Sequence, residues 1–89
     1  MAVVTVTLRF FAASRAATGL DEIECVSSHE PTLGELVAGL APASGTEPDE
    51  LARVLARCSF LVDGVSTRDR EQVVPADAVV DVMPPFAGG

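Results

Sequence analysis

Residues 4–10, VTVTLRF, alternate without a break: Val4, Val6, Leu8 and Phe10 fall on one side, Thr5, Thr7 and Arg9 on the other. A period of two marks a strand with one face buried and the other open to water. Such a strand cannot stand alone, because its backbone groups need partners and its apolar face needs a cover. A chain of 89 residues has room for one core. The other segments must therefore supply both the neighbouring strands and the cover of one sheet.

They divide into the two kinds required. AASRAATG, residues 12–19, is alanine-rich and closed by Gly19, which predicts a short helix with a glycine stop. DEIECVS, residues 21–27, reads as a second strand with Ile23 and Cys25 on one face. In PTLGELVAGLAP, Leu33, Leu36, Val37, Leu40 and Ala41 follow a helical period, Thr32 and Glu35 make a capping box and Pro42 is the stop. This is the expected long helix. TEPDELARVLARC, with early acids, later arginines and Leu51, Val54, Leu55 and Cys58 at helical spacing, predicts a shorter one.

In SFLVDGVST, Asp63-Gly64 between apolar residues signals a hairpin that pairs residues 60–62 with the segment from Val65 onward. Pro75 and Asp77 mark a turn before VVDVM, whose Val80 and Val82 point inward. Strands and helices in this order predict an α+β domain, a β-grasp: a mixed sheet of four to five strands with helices on one face. The domain is expected to span residues 1–83. Residues 84–89 form a flexible tail, because Pro84 and Pro85 cannot donate to a sheet and hold the backbone extended.

The same alternation turns Met83 outward. Phe11 either faces out too, sharing an apolar patch with Met83 beside the tail if the first and last strands are neighbours, or begins the helix and turns into the core. Thirteen carboxylates oppose six arginines, with no lysine, for a formal net charge of -7. Phosphate binding needs clustered cations, so nucleic acid is not an expected partner. The acid keeps a small protein soluble or steers it to a basic surface. Cys25 and Cys58 lie in apolar stretches without a CxxC pair, and His29 has no ligand neighbours, so no metal site is predicted. The opening residues lack the pattern of a signal peptide, and no apolar run is long enough to span a membrane. A reduced, cytoplasmic protein is expected.

LRFFAASRAATG, PTLGEL, ARVLARCSFLVDG and VVDVMPPFAGG together resemble the ubiquitin-like sulfur carriers of the MoaD/ThiS family, and most closely the small subunit of molybdopterin synthase (MoaD type). The first turn and the Pro-Pro-x-x-Gly-Gly end are the distinctive parts. Two positions depart from the family pattern: Ala16 stands where glutamate usually follows the arginine, and Met83 where an aromatic is common.

The resemblance implies that the Gly89 carboxylate is adenylated by an E1-like adenylyltransferase (MoeB type) and converted to a thiocarboxylate. ATP and Mg²⁺ are used by that partner, and the chain itself holds no permanent cofactor. It further implies that Pro84, Pro85, Phe86, Ala87 and Gly88 carry the terminus into the active site of the large synthase subunit (MoaE type), in a possible heterotetramer of two copies of each. Phe11, Arg15 and Met83 are the implied partner contacts, although a solvated helix charge is an equal reading of Arg15. The chain is then a donor subunit with no catalytic side chains. The alternatives are a carrier for thiazole or cysteine biosynthesis, a ubiquitin-like modifier, and a non-covalent binding module whose diglycine is incidental.

Overall fold

The alternating segment at residues 4–10 is a strand with a neighbour on each side. The computed structural model of the chain describes residues 3–85. In chain order the elements are β1 (Val4–Phe10), α1 (Ala12–Thr18), β2 (Glu22–Ser27), α2 (Leu33–Ala38), α3 (Pro48–Arg57), β3 (Ser59–Val62), β4 (Val65–Thr67) and β5 (Val79–Met83). The five strands form one sheet in the order β2-β1-β5-β3-β4. β1 and β5 run parallel, and every other pair is antiparallel. This mixed sheet is a β-grasp, as the order of elements predicts.

The period of two decides which residues enter the core. Val6, Leu8 and Phe10 of β1, Phe60 and Val62 of β3, and Val80 and Val82 of β5 are buried, and Leu33, Leu36, Leu51 and Leu55 cover them from the helices. Ile23 and Cys25 lie opposite Leu8 and Val6, on the predicted face. Burying a side chain of this size contributes roughly 1.5–3 kcal/mol, so the strands' inward residues are the main source of stability.

Local signals set the ends of the elements. Gly19 closes α1 with a φ of 73°, donating its N–H to the Arg15 carbonyl. At α2 the Thr32 hydroxyl accepts the Glu35 N–H at 3.1 Å, and the Glu35 carboxylate accepts the Thr32 N–H at 2.9 Å. Asp63 and Gly64 turn the hairpin with φ of 48° and 89°, the two positive angles that a tight turn matched to strand twist requires.

The helix lengths are the reverse of those expected. α2 has only 6 residues and α3 has 10. α2 ends at Gly39, before Leu40 and Ala41. Leu40 still packs against the core, so its place in the apolar period records burial from a loop and not a continuing helix. The segment after β4 then returns to α2: the Leu33 N–H reaches the Gln72 carbonyl, Gly34 N–H that of Arg70, and Val74 N–H that of Pro31.

Candidate functional site

β1 and β5 are parallel neighbours, so their C-terminal ends arrive at the same end of the sheet. Arg9 lies opposite Asp81 and Phe10 opposite Val82. One step further along this register brings Phe11 level with Met83. Ser59, at the start of β3, faces Met83 from the other side. The chain leaves the sheet at this corner.

Phe11 is the N-cap of α1 with extended backbone and is 37% exposed. It has not turned into the core; of its two sequence readings, the outward one holds. Met83 is half-buried on the open face of the sheet. Pro84 is buried and Pro85 exposed. Pro84, expected as the first tail residue, is instead buried, in step with the inward alternation of Val80 and Val82. Phe86, Ala87, Gly88 and Gly89, the rest of the expected tail and its reactive carboxylate, lie outside the described residues.

Two groups that sequence reasoning did not single out hold this corner together. Ser14, fully buried, accepts the Phe11 N–H at 3.0 Å, and its hydroxyl lies 2.9 Å from both the Phe11 and the Val82 carbonyls. A hydroxyl has one hydrogen, so it donates to one of these at a time. The link ties the start of α1 to the end of β5, just before the prolines. Arg9 spans β1 to β5, its Nε donating to Asp81 Oδ1 at 2.6 Å and its Nη2 to Oδ2 at 3.1 Å. Its guanidinium is 5.9 Å from the centre of the Phe11 ring. The hydrogen bond to Asp81, and then its charge, raise the Arg9 pKa above the ordinary value. The signal available for this pair was opposite charge at outward positions of two strands; only the tertiary pairing joins them.

Arg15 points along the surface to Asp21 in an exposed ion pair. The charge is thus engaged within the chain, in a contact of a kind that contributes ~0–1 kcal/mol. Cys25 and Cys58 are both free thiols. Burial pushes both thiols up, which keeps them protonated at neutral pH and makes them poor nucleophiles. Among the described residues no three His, Cys, Asp or Glu side chains gather as a metal site. No helix among them is long and apolar enough to cross a membrane. The corner thus carries Phe11, Met83 and the Arg9–Asp81 pair at the end of β5, where the chain leaves the sheet.

No curated protein matches the sequence. Among solved structures, the Haloferax volcanii HVO 2177 protein is similar at 27% identity with a TM-score of 0.70, covering 98% of this chain and 88% of that one. SAMP1, a small archaeal modifier protein of the same organism, gives a TM-score of 0.70 at 17% identity over 96% of this chain and 99% of its own. A Pyrococcus furiosus protein named for molybdopterin converting factor, subunit 1, gives 0.68 at 18% identity over 93% and 99%. The last two likenesses bear on the fold, and they are β-grasp proteins like this one. The model of the ThiS family matches residues 8–89, a span that runs from the last three residues of the first strand through Phe11 and Met83 to the Gly-Gly end. The chain belongs to the ThiS family of ubiquitin-like sulfur carriers and modifiers.

Proposed function

We propose that the protein is the sulfur-donating small subunit of a molybdopterin synthase. The observation that supports this best is the parallel pairing of β1 with β5, which brings Phe11 and Met83 level with each other at the base of the terminal segment. A carrier needs this arrangement: a body that docks rigidly and a reactive end at a set distance from the dock. With Pro84 buried, the segment that enters a partner is Pro85 to Gly89. Five residues at full extension reach about 17 Å.

A carboxylate is a poor acyl donor. The Gly89 carboxylate attacks ATP on an E1-like partner, releasing pyrophosphate and leaving an acyl adenylate. A sulfide-level sulfur nucleophile then attacks the acyl carbon, its C–S bond forming as AMP leaves, to give the thiocarboxylate. In the large synthase subunit the thiocarboxylate gives up its sulfur to a cyclic pterin phosphate and Gly89 returns to the carboxylate; two such transfers build the dithiolene of molybdopterin. Gly88 and Gly89 suit both steps because a backbone without Cβ threads a narrow channel. ATP and Mg²⁺ bind the activating partner, the site of action is the cytoplasm, and the synthase is a heterotetramer.

Intact-mass spectrometry of the full chain produced with its E1-like partner tests the carrier step, with an oxygen-for-sulfur exchange at Gly89 as the expected product. Failure to form that species with any activating partner would reject it. The pathway is tested separately, by adding the thiocarboxylated chain and the large subunit to the pterin precursor and looking for the dithiolene. One other reading has specific support, since the fold is also that of SAMP1, a modifier protein. A modifier forms isopeptide bonds to partner lysines through the same adenylate, so a diglycine remnant on proteins of the native host would favour it.

A further inference from the structure

On the helix side of the sheet, α2 and α3 leave a groove of about 330 Å³ between them. Val37, Leu40, Pro42, Leu51 and Leu55 line it, with Arg70 where α3 makes its last turn. Arg70 is fixed at two points. Its carbonyl accepts the Gly34 N–H at 2.8 Å, and its guanidinium donates to the Leu55 carbonyl at 2.8 Å while lying 5.3 Å from the centre of the Phe60 ring. A guanidinium carries five N–H donors, so this bond leaves others available to a ligand.

Charge sets this region apart. Arg9, Arg15 and Arg53 each pair with a carboxylate. Among the described residues Arg57, Arg68 and Arg70 do not, and all three lie about the C-terminal end of α3: Arg57 is in its last turn, and Arg68 reaches the Ala56 carbonyl at 3.4 Å. On a chain of net charge -7 these three guanidiniums stand without a carboxylate partner even though Asp69 and Glu71 flank Arg70, the Asp69 carboxylate accepting the Glu71 N–H instead. Capping the end of a helix accounts for one donor each from Arg68 and Arg70. It does not account for the apolar trough beside them.

We propose that this groove docks a partner-protein segment in which a large apolar side chain is followed by a carboxylate. The apolar group fills the space among Val37, Leu40, Leu51 and Leu55, and the carboxylate accepts from the held guanidinium of Arg70. The proposal is independent of the sulfur chemistry, and the groove's lining includes neither Phe11 nor Met83.

The test is a chemical-shift titration of the ¹⁵N-labelled full chain with two blocked peptides, acetyl-Leu-Phe-Glu amide and its Gln counterpart, which differ only in the charge. The expected result is saturable shifts at Gly34, Leu51 and Leu55, with the Glu peptide bound about tenfold more tightly and the difference abolished by Arg70→Gln. Equal binding of the two peptides overturns the proposal, as do shifts centred on Phe11 and Met83. If Arg70→Gln in the free protein instead moves the Gly88 and Gly89 resonances, the occupant is the chain's own end and the partner reading is wrong. Should that variant fail to fold, the Glu–Gln comparison on the unaltered chain decides alone.

Discussion

Ser14→Ala removes one oxygen from the interior and separates α1 from the end of β5. The Phe11 N–H loses the acceptor that stood at 3.0 Å, and the Phe11 and Val82 carbonyls lose the one hydroxyl donor they share at 2.9 Å. A buried polar group left without a partner costs roughly 1–3 kcal/mol. Phe11 is 37% exposed, so water relieves part of that cost at its amide, and alanine regains up to ~0.5 kcal/mol of helix propensity over serine. The net expectation is a loss of about 1–2 kcal/mol, which at roughly 4–8 °C per kcal/mol for a domain of this size lowers Tm by about 4–16 °C. Urea denaturation should show a lower midpoint with an unchanged slope, and amide exchange at Phe11 should quicken. A loss under ~0.5 kcal/mol with Phe11 exchange unaltered would mean that the hydroxyl does not hold the corner, and the reasoning from its burial would be refuted.

Three further outcomes are expected. Phe11→Asp should weaken binding of the large synthase subunit by about tenfold or more, the scale of a central interface residue, with Tm shifted by only a few degrees because the side chain is not in the core; a large drop in Tm would show that it is. Gly64→Ala should cost about 1–2 kcal/mol in urea denaturation: its φ is 89° and an added Cβ meets no atom within 4 Å, so the cost is backbone conformation alone, and a neutral result would show the turn relaxing to another type. Glu35 is held below its ordinary 4.5 chiefly by the Thr32 N–H and then by His29. A depressed folded-state pKa gives stability present above the unfolded value and lost as pH falls through the folded one. Melts taken from about pH 6 down to about pH 3 should therefore show an increment lost by the unaltered chain and not by Glu35→Gln, and parallel pH curves would contradict the capping contact.

Most of the frame was legible because burial leaves a period behind it. Val4 to Phe10 and Val79 to Met83 announce their inward faces, and Asp63-Gly64 and Thr32–Glu35 mark a turn and a helix start through local chemistry alone. Where the period misled, tertiary packing was the reason. Leu40 is apolar at a helical spacing because it meets the core, yet Gly39 has already ended α2, and the period cannot separate burial in a loop from burial on a helix. The candidate site was legible by halves. Phe11 and Met83 follow from alternation once β1 and β5 are neighbours. Arg9 with Asp81, 72 residues apart, and Ser14 with Val82, 68 apart, depend on register, which no local signal encodes. The burial of Pro84 was missed because a proline reads as the end of a strand, whereas its ring can still fill the next inward position.

The place of β5 at the centre of the sheet has a mechanical consequence. It is laddered to β1 on one side and to β3 on the other, and because β1 and β5 are parallel, the start of the first strand and the end of the last lie at opposite ends of their shared ladder. Tension applied to the C-terminal segment against the N-terminal end therefore loads those hydrogen bonds in shear, all at once, where an antiparallel pair drawn from one end would open bond by bond. Tension between the two ends of the chain is borne by the whole ladder and not by its last bond.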